Sequence, residues 1–144
     1  MLENISKLKN LLTNPKQIVI TTHRGPDGDA MGSSLAMFHL LKQFGHNVSV
    51  ITPNHYASFL HWMPGNQDVL VFEGNEDEAR RITNDADLIF FMDFGDLSRI
   101  SDFAEIVSSA NATKILIDHH QDPDMRIADI IFSDTQSCLS LIHI

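Results

Sequence analysis

Apolar and polar positions along the chain follow the two periods that predict strands and helices. Apolar runs rich in β-branched and aromatic residues predict buried strands at 17–22, 47–52, 88–92 and 114–117, with weaker strands at 68–72 and 129–133. Amphipathic spacing or good helix formers predict helices at 2–13, 35–44, 76–83 and 99–110. Because strands alternate with helices, the pattern indicates an α/β fold with a mainly parallel sheet flanked by helices.

The segment 54–67 has a less regular pattern. Its aromatic residues predict a short helix that ends before Pro64 and Gly65. We expect these aromatic side chains to lie in the core rather than on the surface. They are Tyr56, Phe59 and Trp62.

Polar side chains follow three of the predicted buried strands, at the point where each strand ends. In open α/β sheets, ligands bind beyond the carboxyl ends of the strands, so these groups are expected to meet on one rim. They are His23, Asp27 and Asp29 in a glycine-rich turn, Asp93 after the strand 88–92, and Asp118, His119 and His120 after the strand 114–117.

Carboxylates and imidazoles without a nearby cysteine suit Mn²⁺, Mg²⁺, Fe²⁺ or Zn²⁺ and argue against a structural zinc site. The ligands are too many for one tetrahedral ion. A two-metal site would use them, and such sites are usual in phosphoester hydrolysis, where a metal-activated water attacks the phosphorus. A nearby histidine would protonate the leaving oxygen.

Each of these residues also has a purely structural interpretation. Asp27 and Asp29 are typical of turns and helix caps, and Asp93 of a turn after a strand. The histidine pair that follows Asp118 is compatible with a satisfied pair beside a loop. Arg24 is a candidate phosphate contact, and a simple surface role suits it equally well. The coincidence of all three groups at strand ends favours a functional site.

Composition restricts the class of protein. The 144 residues suffice for one domain with its own core. The formal net charge of −9 argues against broad binding of duplex nucleic acid, which requires many phosphate-neutralising cations. The lone Cys138 permits no internal disulfide, and the N-terminus lacks the features of a signal peptide. With no apolar run of membrane-spanning length, we expect a soluble cytoplasmic protein without membrane partners.

The order His23-x-x-x-Asp27-x-Asp29, then Asp93, then Asp118-His119-His120 resembles the motifs of the DHH phosphoesterase superfamily. Within it, the chain is most similar to the NrnA-like branch of oligoribonucleases and phosphoadenosine-phosphate phosphatases. The resemblance extends to about Gln136.

The resemblance implies a centre of two divalent cations, usually Mn²⁺, with Mg²⁺ as the other possibility. Its metal ligands would be His23, Asp27, Asp29, Asp93 and His119, with the Asp93 carboxylate bridging both ions. His120 would contact the scissile phosphate or act as general acid, and Asp118 would orient the histidines.

The implied substrates are short RNA oligonucleotides and 3′-phosphoadenosine 5′-phosphate. Relatives that hydrolyse cyclic dinucleotides or pyrophosphate leave two alternatives open. A non-catalytic nucleotide- or metal-binding module is a further alternative from a different class.

Members of this branch continue beyond the point where this chain stops, with a further metal-binding Asp and a C-terminal substrate-binding domain. We therefore interpret residues 1–137 as part of a DHH catalytic domain and residues 138–144 as a non-native tail. The C-terminal domain is then absent, and the fragment is expected to have little activity. A homodimer is compatible with the full-length protein.

Overall fold

A six-stranded, all-parallel sheet with helices on both faces forms the protein in the computed structural model, which describes residues 2–135. The strands are β1 Gln17–Thr22, β2 Asn47–Thr52, β3 Leu70–Val71, β4 Leu88–Met92, β5 Thr113–Asp118 and β6 Ile130–Ser133. The helices are α1 Leu2–Leu11, α2 Gly28–Gln43, α3 Glu76–Asn84 and α4 Phe103–Ser109. The predicted α/β class with a parallel sheet is confirmed.

The sheet order is β3-β2-β1-β4-β5-β6, so the chain winds outward in one direction from β1 and then in the other from β4. Adjacent central strands whose following connections leave toward opposite edges open a crevice at their carboxyl ends. In this protein the crevice lies between the ends of β1 and β4. It is the position at which the topology itself predicts a ligand.

Each face of the sheet carries its own apolar core. On one face, Ile20 and Phe90 pack beneath Leu35 and Phe38 of α2. On the other, Phe91 packs against the side chains of α4. The strands β1 and β4 are buried on both faces, which explains their continuous apolar sequence.

Two helices begin four or more residues away from their predicted starts, each for an identifiable reason. Asp27 caps α2 by accepting a hydrogen bond from the backbone N–H of Ala30 at 2.9 Å, so the helix begins at Gly28 rather than at residue 35. The predicted helix 99–110 is divided into a 3₁₀ turn, Leu97–Ile100, and α4. Ser101 separates them with a φ of 53°, a left-handed conformation that no continuous helix allows.

The segment between β2 and β3 contains only short 3₁₀ turns, of which one covers Ser58–Leu60. The prediction that its aromatic residues lie in the core is wrong for two of the three. Phe59 is 73% exposed and Trp62 is 75% exposed, whereas Tyr56 packs partly buried against the core. The proposed tail 138–144 lies outside the described residues. Within residues 2–135, no helix has both the length and the apolar character needed to cross a bilayer.

Candidate metal centre

Three neighbouring strands deliver titratable residues to the carboxyl edge of the sheet. β4 lies between β1 and β5, and its last residue, Met92, is in register with Thr22 on one side and Ile117 on the other. Side chains that follow these strands are therefore brought together from distant parts of the sequence. The residues that contact one another there are His23, Asp27, Asp29, Asp93, Asp118, His119 and His120.

The first group of ligand atoms surrounds His23, which is 5% exposed. Its Nε2 lies 3.8 Å from Oδ1 of Asp27 and 3.5 Å from Oδ2 of Asp93. Its Nδ1 lies 2.8 Å from the backbone carbonyl of Arg24, and a carbonyl can only accept. The neutral ring therefore carries its proton on Nδ1, which leaves the Nε2 lone pair facing the two carboxylates.

The second group surrounds His119 on the other side of Asp93. The Nε2 of His119 lies 2.8 Å from Oδ1 of Asp93 and 3.3 Å from Oδ2 of Asp29. Nδ1 of His120 lies 3.9 Å from the same Asp93 oxygen. The two groups thus share one residue, Asp93, which presents a different carboxylate oxygen to each of them.

Asp93 itself has the features of a residue held for a ligand. It is 2% exposed, and among residues 2–135 its Oδ1 has no hydrogen-bond donor, since the close approach of His119 lacks hydrogen-bond geometry. A buried carboxylate oxygen without a donor is costly unless a cation compensates for it. Hard oxygen and imidazole nitrogen donors around this oxygen suit a divalent cation. The residues present therefore fit a metal site.

His120 is held by Asp118. Its Nδ1 donates to Asp118 Oδ1 at 2.6 Å, which directs Nε2 away from the carboxylate. Asp118 is 1% exposed, whereas the His120 side chain is 42% exposed. The buried Asp118 carboxylate therefore fixes the ring orientation of the solvent-accessible His120.

Gly95 makes this arrangement possible. A Cβ built on it would lie 3.0 Å from Oδ2 of Asp118 and 3.0 Å from Cα of Pro123. Its carbonyl also accepts a hydrogen bond from the backbone N–H of Asp124 at 2.7 Å. The turn after β4 therefore packs against the 121–128 loop too closely for any side chain.

The protonation of His23 depends on its surroundings. The adjacent Asp93 carboxylate raises the pKa of His23 above its ordinary value of 6.5, while burial lowers it. The backbone carbonyl of Arg24 and the Asp27 carboxylate add to the increase. Since imidazole binds a metal only in its neutral form, protons would compete with any cation held at this residue.

Arg24 uses its side chain elsewhere. Its Nη1 donates to Ser101 Oγ at 3.1 Å, and it lines a cleft of about 110 Å³ with Asn54 and Glu73. Acidic neighbours make this cleft unlike a phosphate pocket. A contact between Arg24 and substrate stays a prediction.

Sequence reasoning missed two residues that shape the site. Thr22 donates its hydroxyl to the carbonyl of Met92 at 2.7 Å, next to Asp93. Gly95 provides the close approach described above. A threonine inside a β-branched strand carries no signal of such a contact. A glycine two residues after Asp93 does carry a weak signal of close backbone packing.

A doubly wound parallel sheet with carboxylates and imidazoles at its central crevice defines a class of α/β proteins that place a ligand centre at the strand ends. The chain matches the N-terminal domain of the DHH family over residues 17–143. It therefore belongs to the DHH family. Among curated proteins, no relative is found.

The solved structure of an exopolyphosphatase-related protein from Bacteroides fragilis is 35% identical to the chain, with a TM-score of 0.95. The match covers 99% of this chain and 42% of that protein, so the chain spans less than half of its length. It confirms the fold in detail.

Two more distant structures are similar in fold alone. RecJ in complex with Mn²⁺ from Thermus thermophilus has a TM-score of 0.52 at 15% identity, covering 91% of this chain and 16% of RecJ. Sir2Af2 bound to a myristoylated histone peptide has a TM-score of 0.63 at 15% identity, covering 99% of this chain and 94% of that one. The sheet therefore occurs beyond the DHH family.

Proposed function

We propose that this chain carries the metal centre of a phosphoesterase, in which His23, Asp27, Asp29, Asp93 and His119 would hold two divalent cations and Asp93 would be shared between the two groups of ligands. The observation that carries the proposal is the position of the two Asp93 oxygens. Oδ2 lies 3.5 Å from His23 Nε2, and Oδ1 lies 2.8 Å from His119 Nε2. A buried carboxylate that presents one oxygen to each of two ligand groups is the arrangement that a metal pair requires.

Two sets of donors divide around this bridge. His23, Asp27 and Asp93 converge within one group, and Asp93 and His119 within the other, where His120 lies beside them with its Nδ1 proton on Asp118. Asp29 approaches His119 and so adds a carboxylate on that side. Mixed carboxylate and imidazole donors without thiolate are compatible with Mn²⁺, which we choose as the first candidate ion. Mn²⁺ is also the ion in the RecJ structure, and Mg²⁺ is the second choice.

Divalent cations in such a centre lower the pKa of water and stabilise charge on phosphoryl oxygens. The chain's own residues would do the rest. His120 is directed outward by its Nδ1–H hydrogen bond to Asp118, so its Nε2 can deliver a proton to the leaving oxygen. Asp118 would stabilise the charged ring during that transfer. His23 and His119 direct their Nε2 atoms toward Asp93 and would hold the cations there.

We propose short RNA oligonucleotides and 3′-phosphoadenosine 5′-phosphate as substrates of the longer protein. The motif resemblance supports this choice. The net charge of −9 supports small phosphorylated substrates over duplex nucleic acid. Hydrolysis of phosphoanhydrides is the second candidate, because the similar Bacteroides fragilis protein is described as exopolyphosphatase-related.

The test is turnover on a matched substrate panel, with and without Mn²⁺, by the chain and by a protein extended to the length of its relatives. It compares a short RNA oligomer, 3′-phosphoadenosine 5′-phosphate, a cyclic dinucleotide, pyrophosphate and polyphosphate, with products separated by ion-exchange chromatography. We expect Mn²⁺-dependent release of mononucleotides and of phosphate from the first two substrates.

Other outcomes contradict the proposal in different ways. Turnover of pyrophosphate or polyphosphate alone would favour the second candidate. Cleavage of the cyclic dinucleotide alone would indicate that the protein is a cyclic-dinucleotide phosphodiesterase. Binding of Mn²⁺ and nucleotide without product, in the chain and in a protein extended to the length of its relatives, would indicate a non-catalytic module.

A further inference from the structure

We propose that Thr22 is a positioning residue of the candidate metal centre, an inference that rests on the proposed function. Thr22 is the last residue of β1 and is fully buried. Its hydroxyl donates to the backbone carbonyl of Met92 at 2.7 Å. Met92 is the residue opposite it in the β1–β4 register and immediately precedes Asp93.

The peptide that joins Met92 to Asp93 is held from both sides. Its carbonyl accepts the Thr22 hydroxyl, and its N–H donates to the carbonyl of Ile117 on β5 at 3.0 Å. The orientation of this peptide plane therefore depends on both neighbouring strands. The β5 bond is a backbone bond that many sequences would make, whereas the β1 bond requires a hydroxyl at position 22.

These two hydrogen bonds matter because Asp93 adopts a left-handed conformation, with φ of 66°. Residues with a Cβ disfavour this region, so surrounding contacts must maintain it. Rotation of the peptide toward ordinary φ values would swing the Cα–Cβ bond of Asp93. Its two oxygens would then no longer face His23 and His119. Thr22 also immediately precedes His23. It is therefore linked to both members of the first ligand group, to His23 through the chain and to Asp93 through the Met92 carbonyl.

Burial alone does not explain the hydroxyl of Thr22. Thr52 ends the adjacent strand β2 and is also fully buried, yet within residues 2–135 its hydroxyl has no hydrogen-bond partner. Thr21 is equally buried, and its hydroxyl likewise lacks a partner there. Thr52 is therefore a matched control, a buried threonine at a strand end whose hydroxyl makes no hydrogen bond within residues 2–135.

The experiment compares Thr22→Val, Thr22→Ser and Thr52→Val in the complete chain. Calorimetry measures Mn²⁺ affinity and stoichiometry, and electron paramagnetic resonance measures the magnetic coupling of the bound ions. Hydrogen exchange of the Asp93 amide is followed in metal-free protein. We expect Thr22→Val to weaken Mn²⁺ binding about tenfold and reduce the coupling. It should also accelerate exchange at Asp93, while Thr22→Ser restores all three values.

Thr52→Val should leave affinity, coupling and exchange within about twofold of the wild type, because it removes no hydrogen bond. Equal effects of Thr22→Val and Thr52→Val would overturn the positioning role, as would unchanged binding and exchange in Thr22→Val. If Thr22→Val does not fold, Thr22→Ala against Thr52→Ala gives the same comparison. Absence of Mn²⁺ binding by the wild type would refute the proposed function, whereas the exchange measurement would still decide whether Thr22 holds the Asp93 peptide.

Discussion

The two edges of the sheet use the same kinds of side chain for different purposes. At the amino edge, Asp87 Oδ2 accepts from the backbone N–H of Gln17 at 2.8 Å. Asp129 Oδ2 accepts from the backbone N–H of Lys114 at 2.9 Å. Both carboxylates are exposed, and each satisfies the first N–H of a strand or its neighbour. At this edge acidic residues complete the backbone hydrogen bonding.

At the carboxyl edge the partners are other titratable side chains. Asp93 faces His23 and His119, and Asp118 faces His120. Both carboxylates are almost fully buried, and each has an oxygen without a donor within residues 2–135. Burial, contact with histidines and an oxygen without a donor therefore distinguish Asp93 and Asp118 from the exposed carboxylates that complete the backbone hydrogen bonding at the amino edge.

The largest difference between the two edges is expected when one Asp at each end of β4 is neutralised. Asp93→Asn should lower Mn²⁺ affinity by about 100-fold or more, because it removes the charge shared by both ligand groups. Asp87→Asn, at the other end of the same strand, should change it by less than about twofold. Calorimetric titration of both variants measures this. Similar losses in the two would show that the edges do not differ in metal binding.

A second test concerns the packing beside Asp118. Gly95→Ala should destabilise the fold by about 1–3 kcal/mol, since its Cβ would push on Asp118 and Pro123, and should lower turnover about tenfold in a protein extended to the length of its relatives. Gly28→Ala is the control, because a Cβ there meets no atom within 4 Å and φ is not positive. Steady-state kinetics and thermal unfolding measure both effects. Normal turnover in Gly95→Ala would show that the site tolerates displacement of Asp118.

Lowering the pH should stabilise the metal-free protein but weaken its binding of Mn²⁺. Because the folded pKa of His23 is raised above 6.5, its protonated form stabilises metal-free protein. That contribution is complete below pH 6.5 and is lost as pH rises through the higher folded pKa. Mn²⁺ affinity should instead increase over this window, because the cation displaces the proton.

Calorimetry and denaturant unfolding across the same pH series test this opposition. His23→Ala should reduce the pH dependence of both profiles, whereas His55→Ala should leave them unchanged, since His55 is exposed and far along the sequence from the ligand motifs. Stability and affinity that change in the same direction with pH, or profiles that keep their full pH dependence in His23→Ala, would exclude His23 as the titrating group.

The smallest effect is expected at the amino edge. Asp129→Ala removes the acceptor for the N–H of Lys114 and should cost about 0.5–1 kcal/mol of stability, because the bond is exposed. Mn²⁺ affinity should stay unchanged. Thermal unfolding and titration of the same sample measure both. A loss of metal binding without a loss of stability would reverse the interpretation of the two edges.

Much of the fold was predictable, because its buried strands are continuous apolar runs, whereas its helices show amphipathic spacing. The bounds predicted for β1, β2 and β4 agree with the structure, and the β5 prediction differs by one residue at each end. The start of α2 was missed because the glycine-rich motif has low helix propensity and a single cap, Asp27, decides it. The exposure of Trp62 depends on tertiary packing that no local pattern records.

The candidate site was predictable as a set of residues but not as a geometry. Strand ends and topology indicated that His23, Asp93 and His119 would meet. The left-handed conformation of Asp93 and its division between two groups of ligands are set by contacts from neighbouring strands. The contact of Thr22 with Met92 joins residues 70 positions apart, a distance over which sequence periodicity carries no information.

The β1–β4 register also has a kinetic consequence. Parallel strands that pair across 70 residues must first close a long loop, so the ligand groups come together only after both crossovers have formed. A cation would therefore find no assembled site in the early stages of folding. Its binding energy would stabilise the finished sheet, so it would slow unfolding more than it accelerates folding. Metal occupancy would thus determine how long the native state persists rather than how fast it is reached.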